Sequence, residues 1–271
     1  MKKGIIIFGI IFSAFWVIIL TILLVALLFN KNIKFRAFNL NYNVIEAKSE
    51  SFDLAGIEEL KLNFISADIA LFATDESELK VIQKTNDDVS AEYLFNSSKS
   101  ESTLSIIDGA KASSFVFFGF GYMNYNKIEV YIPKSYMGNL SINQVSGDLL
   151  SNDLIKCNIF NYSSTSGDFE LNSLECNKYS LKTVSGEISI SNLKGYGEMK
   201  TTSGDIDLSN FNMLNNSSIN TISGDVKISL TNKNCKVNYS SVSGDLDSRI
   251  NNIDALYTLT IKTTSGDANI Y

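Results

Sequence analysis

The chain has 271 residues and a formal net charge of −6, with no histidine, one proline and three cysteines. Without imidazole there is no Ser-His-Asp or Cys-His nucleophile system, no His-ligated metal and no imidazole acid–base pair. The acidic balance argues against nucleic acid as a partner, and three cysteines make no disulfide framework.

Gly4 to Phe29 carry no charge, and a helix over that span, at about 1.5 Å per residue, exceeds the roughly 30 Å hydrocarbon core of a bilayer. The pattern predicts a single-pass transmembrane helix over residues 4–29, with residues 1–3 as a cytoplasmic tail and the membrane as a partner. Lys2 and Lys3 on one side are matched by Lys31, Lys34 and Arg36 on the other, so charge alone leaves the orientation open. All 29 acidic residues lie beyond that point, which leaves the remaining domain strongly acidic.

Residues 30–51 are polar and rich in Asn and read as a stalk. Residues 52–271 read as one all-β domain with an irregular insertion at about 75–135. Strand signals inside that insertion run from Leu79 to Lys84, Thr103 to Ile107 and Lys127 to Ile132, the last closed by Pro133. Between two of them, Phe115, Phe117, Phe118, Phe120, Tyr122 and Tyr125 are spaced by glycines. The first five are the partner-binding candidates: such a run serves either as a binding tip or as a fold-back that caps the end of a repeat stack.

The tripeptide Ser-Gly-Asp, once Ser-Gly-Glu, then recurs from Ser146, Ser166, Ser185, Ser203, Ser223, Ser243 and Ser265, at intervals of 18 to 22 residues. That is the period of a solenoid. Apolar residues alternate on both sides of each motif, as with Leu181 and Thr183 before Ser185 and Ile188 and Ile190 after it, so each copy is two short strands around a glycine corner. Ser66, Ala67 and Asp68 with Leu60, Leu62, Phe64, Ile69 and Leu71 make a degenerate first copy. The expected fold is a single-stranded β-solenoid of about eight rungs. In it Leu181, Ile190, Met199, Ile206, Leu208, Ile219 and Ile228 point inward, and Lys182, Lys200, Asp207 and Lys227 face solvent.

Stacking in register also stacks the acids. Two unit charges about 5 Å apart repel by roughly 1 kcal/mol in water and by several times more at lower dielectric. Asp148, Asp168, Asp205, Asp225, Asp245 and Asp267 therefore either face water and bond turn amides, or hold calcium between them. The turn-former reading is preferred, since the motif matches no calcium loop; no other cofactor is called for. Cys157 and Cys176 each lie nine residues before a motif, which puts them on adjacent rungs within disulfide reach; buried free thiols fit the same spacing. The last copy ends at Tyr271 and reads as an open edge.

Ile128-Glu-Val-Tyr-Ile-Pro133-Lys134, the following Leu140 and Ile142, and the repeated Thr/Val-Ser-Gly-Asp-Ile resemble the bacterial "putative adhesin" family of β-strand-repeat proteins, domain of unknown function 4097, over about Ile57 to Tyr271. The N-terminal segment is similar to members encoded with Gram-positive envelope-stress systems, with LiaG as the named type. The resemblance implies an extracytoplasmic β-solenoid on a single-pass anchor and no catalytic residues. The leading expectation is a non-catalytic, adhesin-like envelope module that binds a protein or wall polymer. The alternatives are a self-associating scaffold, hence a weak homo-oligomer, and a β-helix carbohydrate-active enzyme working through paired acids.

Overall fold

The computed structural model describes residues 44–86, 89–109, 126–231, 235–250, 252 and 254–271, all within the unit Asn43–Tyr271. These residues are all-β, with one 3-10 turn at Ala91–Tyr93 and no α-helix. Among them no helix is long and apolar enough to cross a membrane. That finding overturns the single-pass membrane location read from the sequence. Residues 1–29, with the expected tail and span, lie outside the described residues.

The segment expected to be a stalk ends instead in a strand, β1 (Ile45–Phe52), which pairs antiparallel with β4 (Leu79–Thr85). Between them, β2 (Glu59–Ser66) and β3 (Asp68–Thr74) are the two arms around the Ser66 corner. The insertion is also more regular than its sequence. After β5 (Asn96–Ser100), strands β6 (Thr103–Ile107) and β7 (Asn126–Pro133) stack parallel on β2 and β3 and so form another layer. On that layer's far side, β5 pairs antiparallel with β6 and β4 with β7. Gln83, almost fully buried, locks this end: its carbonyl accepts from the Phe95 amide at 2.7 Å, and its amide donates to Tyr93 O and Asn126 Oδ1.

The repeats begin with β8 (Asn139–Ser146). The long bent strands β9 (Leu149–Ser166), β10 (Phe169–Ser185) and β11 (Ile188–Ser203) each carry the second arm of one turn and the first arm of the next. They are followed by β12 (Ile206–Met213), β13 (Ser217–Ser223), β14 (Val226–Leu230), β15 (Cys235–Ser240), β16 (Leu246–Ser248), β17 (Tyr257–Lys262) and β18 (Ala268–Ile270). The first arms stack in parallel register through Leu62, Ile142, Tyr162, Leu181, Met199, Ile219 and Ile261. Second arms stack through Leu149, Phe169, Ile188, Ile206, Val226 and Ala268. These side chains are at most 1% exposed, and the two ladders face each other to make the core. Leu181, Ile190, Met199, Ile206, Leu208, Ile219 and Ile228 are all inside; Lys182, Lys200 and Lys227 are exposed, with Asp207 half-buried.

One feature of the stack departs from chain order. β17 and β18 pair with β13 and β14 on one side and with β15 and β16 on the other. The copy that is last in sequence therefore lies inside the stack, and the Ser243 copy forms the end. The open edge expected at Lys262 to Tyr271 is thus an interior layer. Residue identity fits the exchange: Leu259, Ile261, Ala268 and Ile270 are all apolar and in this position completely buried, whereas the corresponding Val237, Tyr239, Leu246 and Ser248 include a tyrosine and a serine and at the end are half-buried or exposed. The layer with the fuller apolar set gains more from being covered on both sides.

Candidate functional site

The corner column is the most repeated chemistry in the molecule. At six corners an aspartate carboxylate accepts a hydrogen bond from the backbone amide of the acid one layer on; the Glu187 carboxylate takes no such bond from Asp205 N. The bonds run from Asp148 N to Asp68, Asp168 N to Asp148, Glu187 N to Asp168, Asp225 N to Asp205, Asp267 N to Asp225 and Asp245 N to Asp267, at 2.8 to 3.0 Å. Each of these carboxylates has an amide donor and an open side toward water, which is how a column of like charges is tolerated. The calcium candidates Asp148, Asp168, Asp205, Asp225, Asp245 and Asp267 do lie in one file, with Asp267 between Asp225 and Asp245. Among the described residues, however, no three His, Cys, Asp or Glu side chains converge on a metal position. Partial burial first, then the neighbouring Asp168 and Asp205, push the Glu187 carboxyl above the usual range.

Glycine is required at these corners by contact. A Cβ on Gly167 would lie 2.1 Å from the carbonyl oxygen of Gly147, and its φ of 125° belongs to the left-handed side of the map. Each corner glycine meets the previous one in this way, and Gly147 meets Ala67 O. Ala67 stands at the glycine position of the first copy and is fully buried.

Beside the corner lies a stripe that sequence reasoning missed. The residue before each motif serine is β-branched in every copy: in stack order Ile65, Val145, Thr165, Val184, Thr202, Ile222, Thr264 and Val242. All face solvent, with Val145, Val184, Ile222 and Val242 at 51, 50, 54 and 85%. At about 4.8 Å per layer the stripe runs roughly 30 Å. Its signal was legible as a column that stays β-branched at a position the alternation assigns to solvent. Acids flank it on the corner side, and exposed Lys182, Lys200 and Lys262 flank it on the other.

On the same face, further from the corners, an open groove of about 820 Å³ is lined by Asn161, Lys178, Tyr196, Glu198, Asn216 and Thr258. Gly197 forms its floor, since a Cβ there would run into Tyr179 O. On the opposite face Glu175 bridges Lys156 and Lys194, at 3.3 and 2.7 Å, on the two adjoining layers. The Lys194 hydrogen bond holds the Glu175 carboxyl below the usual range. A depressed carboxyl contributes stability above its ordinary pKa and loses it as pH falls through the depressed value. Glu175→Gln should therefore lower stability by at most about 1 kcal/mol near neutrality, since the groups are exposed. Thermal melts of the two proteins should converge in acid; a gap that widens there would refute the bridge's contribution.

Cys157 and Cys176 are register partners on adjacent layers and are both free and buried, as is Cys235. Burial pushes the Cys176 thiol up to about 12 and, together with Cys176, raises Cys157 further. Neither is a thiolate at neutral pH, so neither is an activated nucleophile. Phe115, Phe117, Phe118, Phe120 and Tyr122 lie outside the described residues.

A family model described as Toastrack DUF4097 matches residues 57–271. Among solved structures, a "putative lipid binding protein" from Parabacteroides distasonis is similar at 16% identity and a TM-score of 0.49, covering 85% of this chain and 98% of that one. A "putative adhesin" from Bacteroides fragilis is similar at 12% and 0.47, covering 84% and 97%. A "putative cell adhesion protein" from Clostridium sporogenes gives 15% and 0.38, covering 82% and 98%. Similarity that remote carries nothing over about what is bound. Among curated proteins none matches.

Proposed function

The chain belongs to the Toastrack DUF4097 family, and on that fold we propose an adhesin-like, non-catalytic binding module whose contact surface is the outer face of the first arms. The observation that carries this reading is the stripe from Ile65 to Val242. Exposed Val and Ile side chains, alternating with Thr from Thr165 onward, make one β-branched surface open to cover, and the rigid stack pre-orders them, which lowers the entropy lost on binding. The stripe lies between carboxylates on one flank and ammonium groups on the other. Such a zwitterionic rim suits a polypeptide partner carrying both charges better than a uniformly anionic wall polymer. Catalysis is disfavoured because the chain has no histidine and because the regularly spaced acids are committed to neighbouring amides.

The test is retention of a random peptide library on the immobilised full chain, with retained sequences read by mass spectrometry. Peptides mixing apolar residues with both charges should be enriched. The combined variant Val145→Ser, Val184→Ser, Ile222→Ser should lose at least about tenfold in affinity, the scale of removing a few exposed contacts, with an unchanged melting temperature. Retention indifferent to those three substitutions, or turnover of bound peptide or oligosaccharide, would overturn the reading.

A further inference from the structure

Among the described residues, the end layer made by β15 and β16 has a partner on one side only. The amides of Thr263 and Ala268 donate to Ser240 O and Asp245 O, and Arg249 N donates to Ile270 O. Backbone groups alternate sides along a strand. Asn238, Ser240, Asp247 and Arg249 therefore spend their N–H and C=O on the stack, while Val237, Tyr239, Leu246 and Ser248 point theirs outward. The core is also incompletely covered at this end: Val237 and Tyr239 are only partly buried, and Leu246 is 40% exposed. The opposite end is different. It is bounded by antiparallel strands rich in polar and charged residues, with Lys99 among the exposed residues of β5 and Glu46, Lys48 and Glu50 on β1 beside Ile45 and Phe52, the usual means of blunting an edge.

An occupant of the open end has to offer two unpaired strands held one sheet gap apart, with outward-facing backbone at matching positions. This same end layer has that geometry. We propose that two copies of the chain pair end to end through β15 and β16, related by a two-fold axis passing through Tyr239 and Ser248. Tyr239 then opposes Tyr239 of the second copy and Ser248 opposes Ser248, each as a hydrogen-bonded antiparallel pair, because both residues already face outward. The same axis sets Asp247 of each copy across from Arg249 of the other, so the exposed charges of the two end layers complement one another. A head-to-tail filament would need the blunted end to pair, whereas a two-fold contact closes on itself. Strands of six and three residues bury less than an ordinary stable interface, so the dimer is weak and concentration-dependent.

Sedimentation velocity on the full chain, kept in nonionic detergent because of apolar residues 4–29, tests this from roughly micromolar to near-millimolar concentration. The expected result is a monomer–dimer equilibrium. Asp247→Arg should weaken it about tenfold by opposing two arginines, and Asp247→Arg combined with Arg249→Asp should restore it by exchanging the pair, with melting temperatures unchanged. A purely structural role for either residue would not produce that rescue. A monomer throughout, species that grow beyond the dimer, or a dimer indifferent to both variants would each overturn the proposal.

Discussion

Gly204→Ala should destabilise the domain by at least about 3 kcal/mol, the upper range for overpacking a filled interior. The new Cβ would lie 2.1 Å from Gly186 O and 2.8 Å from its carbonyl carbon. That obstacle is backbone, so no rotamer change relieves it. Moving the layer away from Gly186 instead would stretch the Gly186 N to Ser203 O bond, already 3.4 Å, together with the neighbouring bonds between those two layers. Gly244→Ala meets Gly266 O at the same 2.1 Å, but Gly244 belongs to the end layer, which can shift outward, so its cost should be clearly smaller. Urea denaturation of the three proteins decides the matter. Equal midpoints for the parent and Gly204→Ala would show that the corners do not stack as described.

The second large effect concerns layer order. Ile261→Ala should cost about 2 to 5 kcal/mol, as for a large-to-small change in a fully packed core, because Ile261 is covered by Ile219 on one side and Tyr239 on the other. Val237→Ala, 24 residues earlier in the chain, lies in the end layer and should cost about 1 kcal/mol or less, since part of its side chain already faces solvent. Native-state hydrogen exchange should follow the same order. The amides of β17 should open near the global unfolding free energy, and those of β15 should fray well below it. If β15 proves better protected than β17, the copies stack in chain order after all. The same placement changes what proline does at Lys262 or Asn269: it would break an interior ladder and unfold a layer, whereas from sequence these positions looked like a free edge.

How much could be read in advance depended on whether a signal was local. Alternation around Ser203 placed Met199, Ile206 and Leu208 inside because side-chain direction in a strand has a period of two wherever the strand lies. The acids were readable in kind: a column of carboxylates has to find donors or cations, and the next layer's amides were the nearest donors. The exposed β-branched stripe was in plain sight, yet alternation calls those positions solvent-facing and the pattern search stops there. Strand β1 was hidden for the opposite reason. Ile45–Phe52 has no apolar alternation, with five polar residues among Ile45, Ala47 and Phe52, and finds its place as a strand on the edge that β4 offers it.

The sequence by itself determined the turn of the solenoid: its period, its two arms, its inward residues and the glycine and acid at each corner, all consequences of contacts that repeat identically from layer to layer. Only the tertiary structure decided which layer lies next to which. β6 and β7 join the stack although they carry no Ser-Gly-Asp, and the Ser265 copy enters between those of Ser223 and Ser243. Near-identical layers are interchangeable as far as local pattern can tell. Their order follows the side chains each presents: the copy with Leu259, Ile261, Ala268 and Ile270 is apolar at all four positions and is covered on both sides, and the copy that carries Tyr239 and Ser248 beside Val237 and Leu246 takes the end.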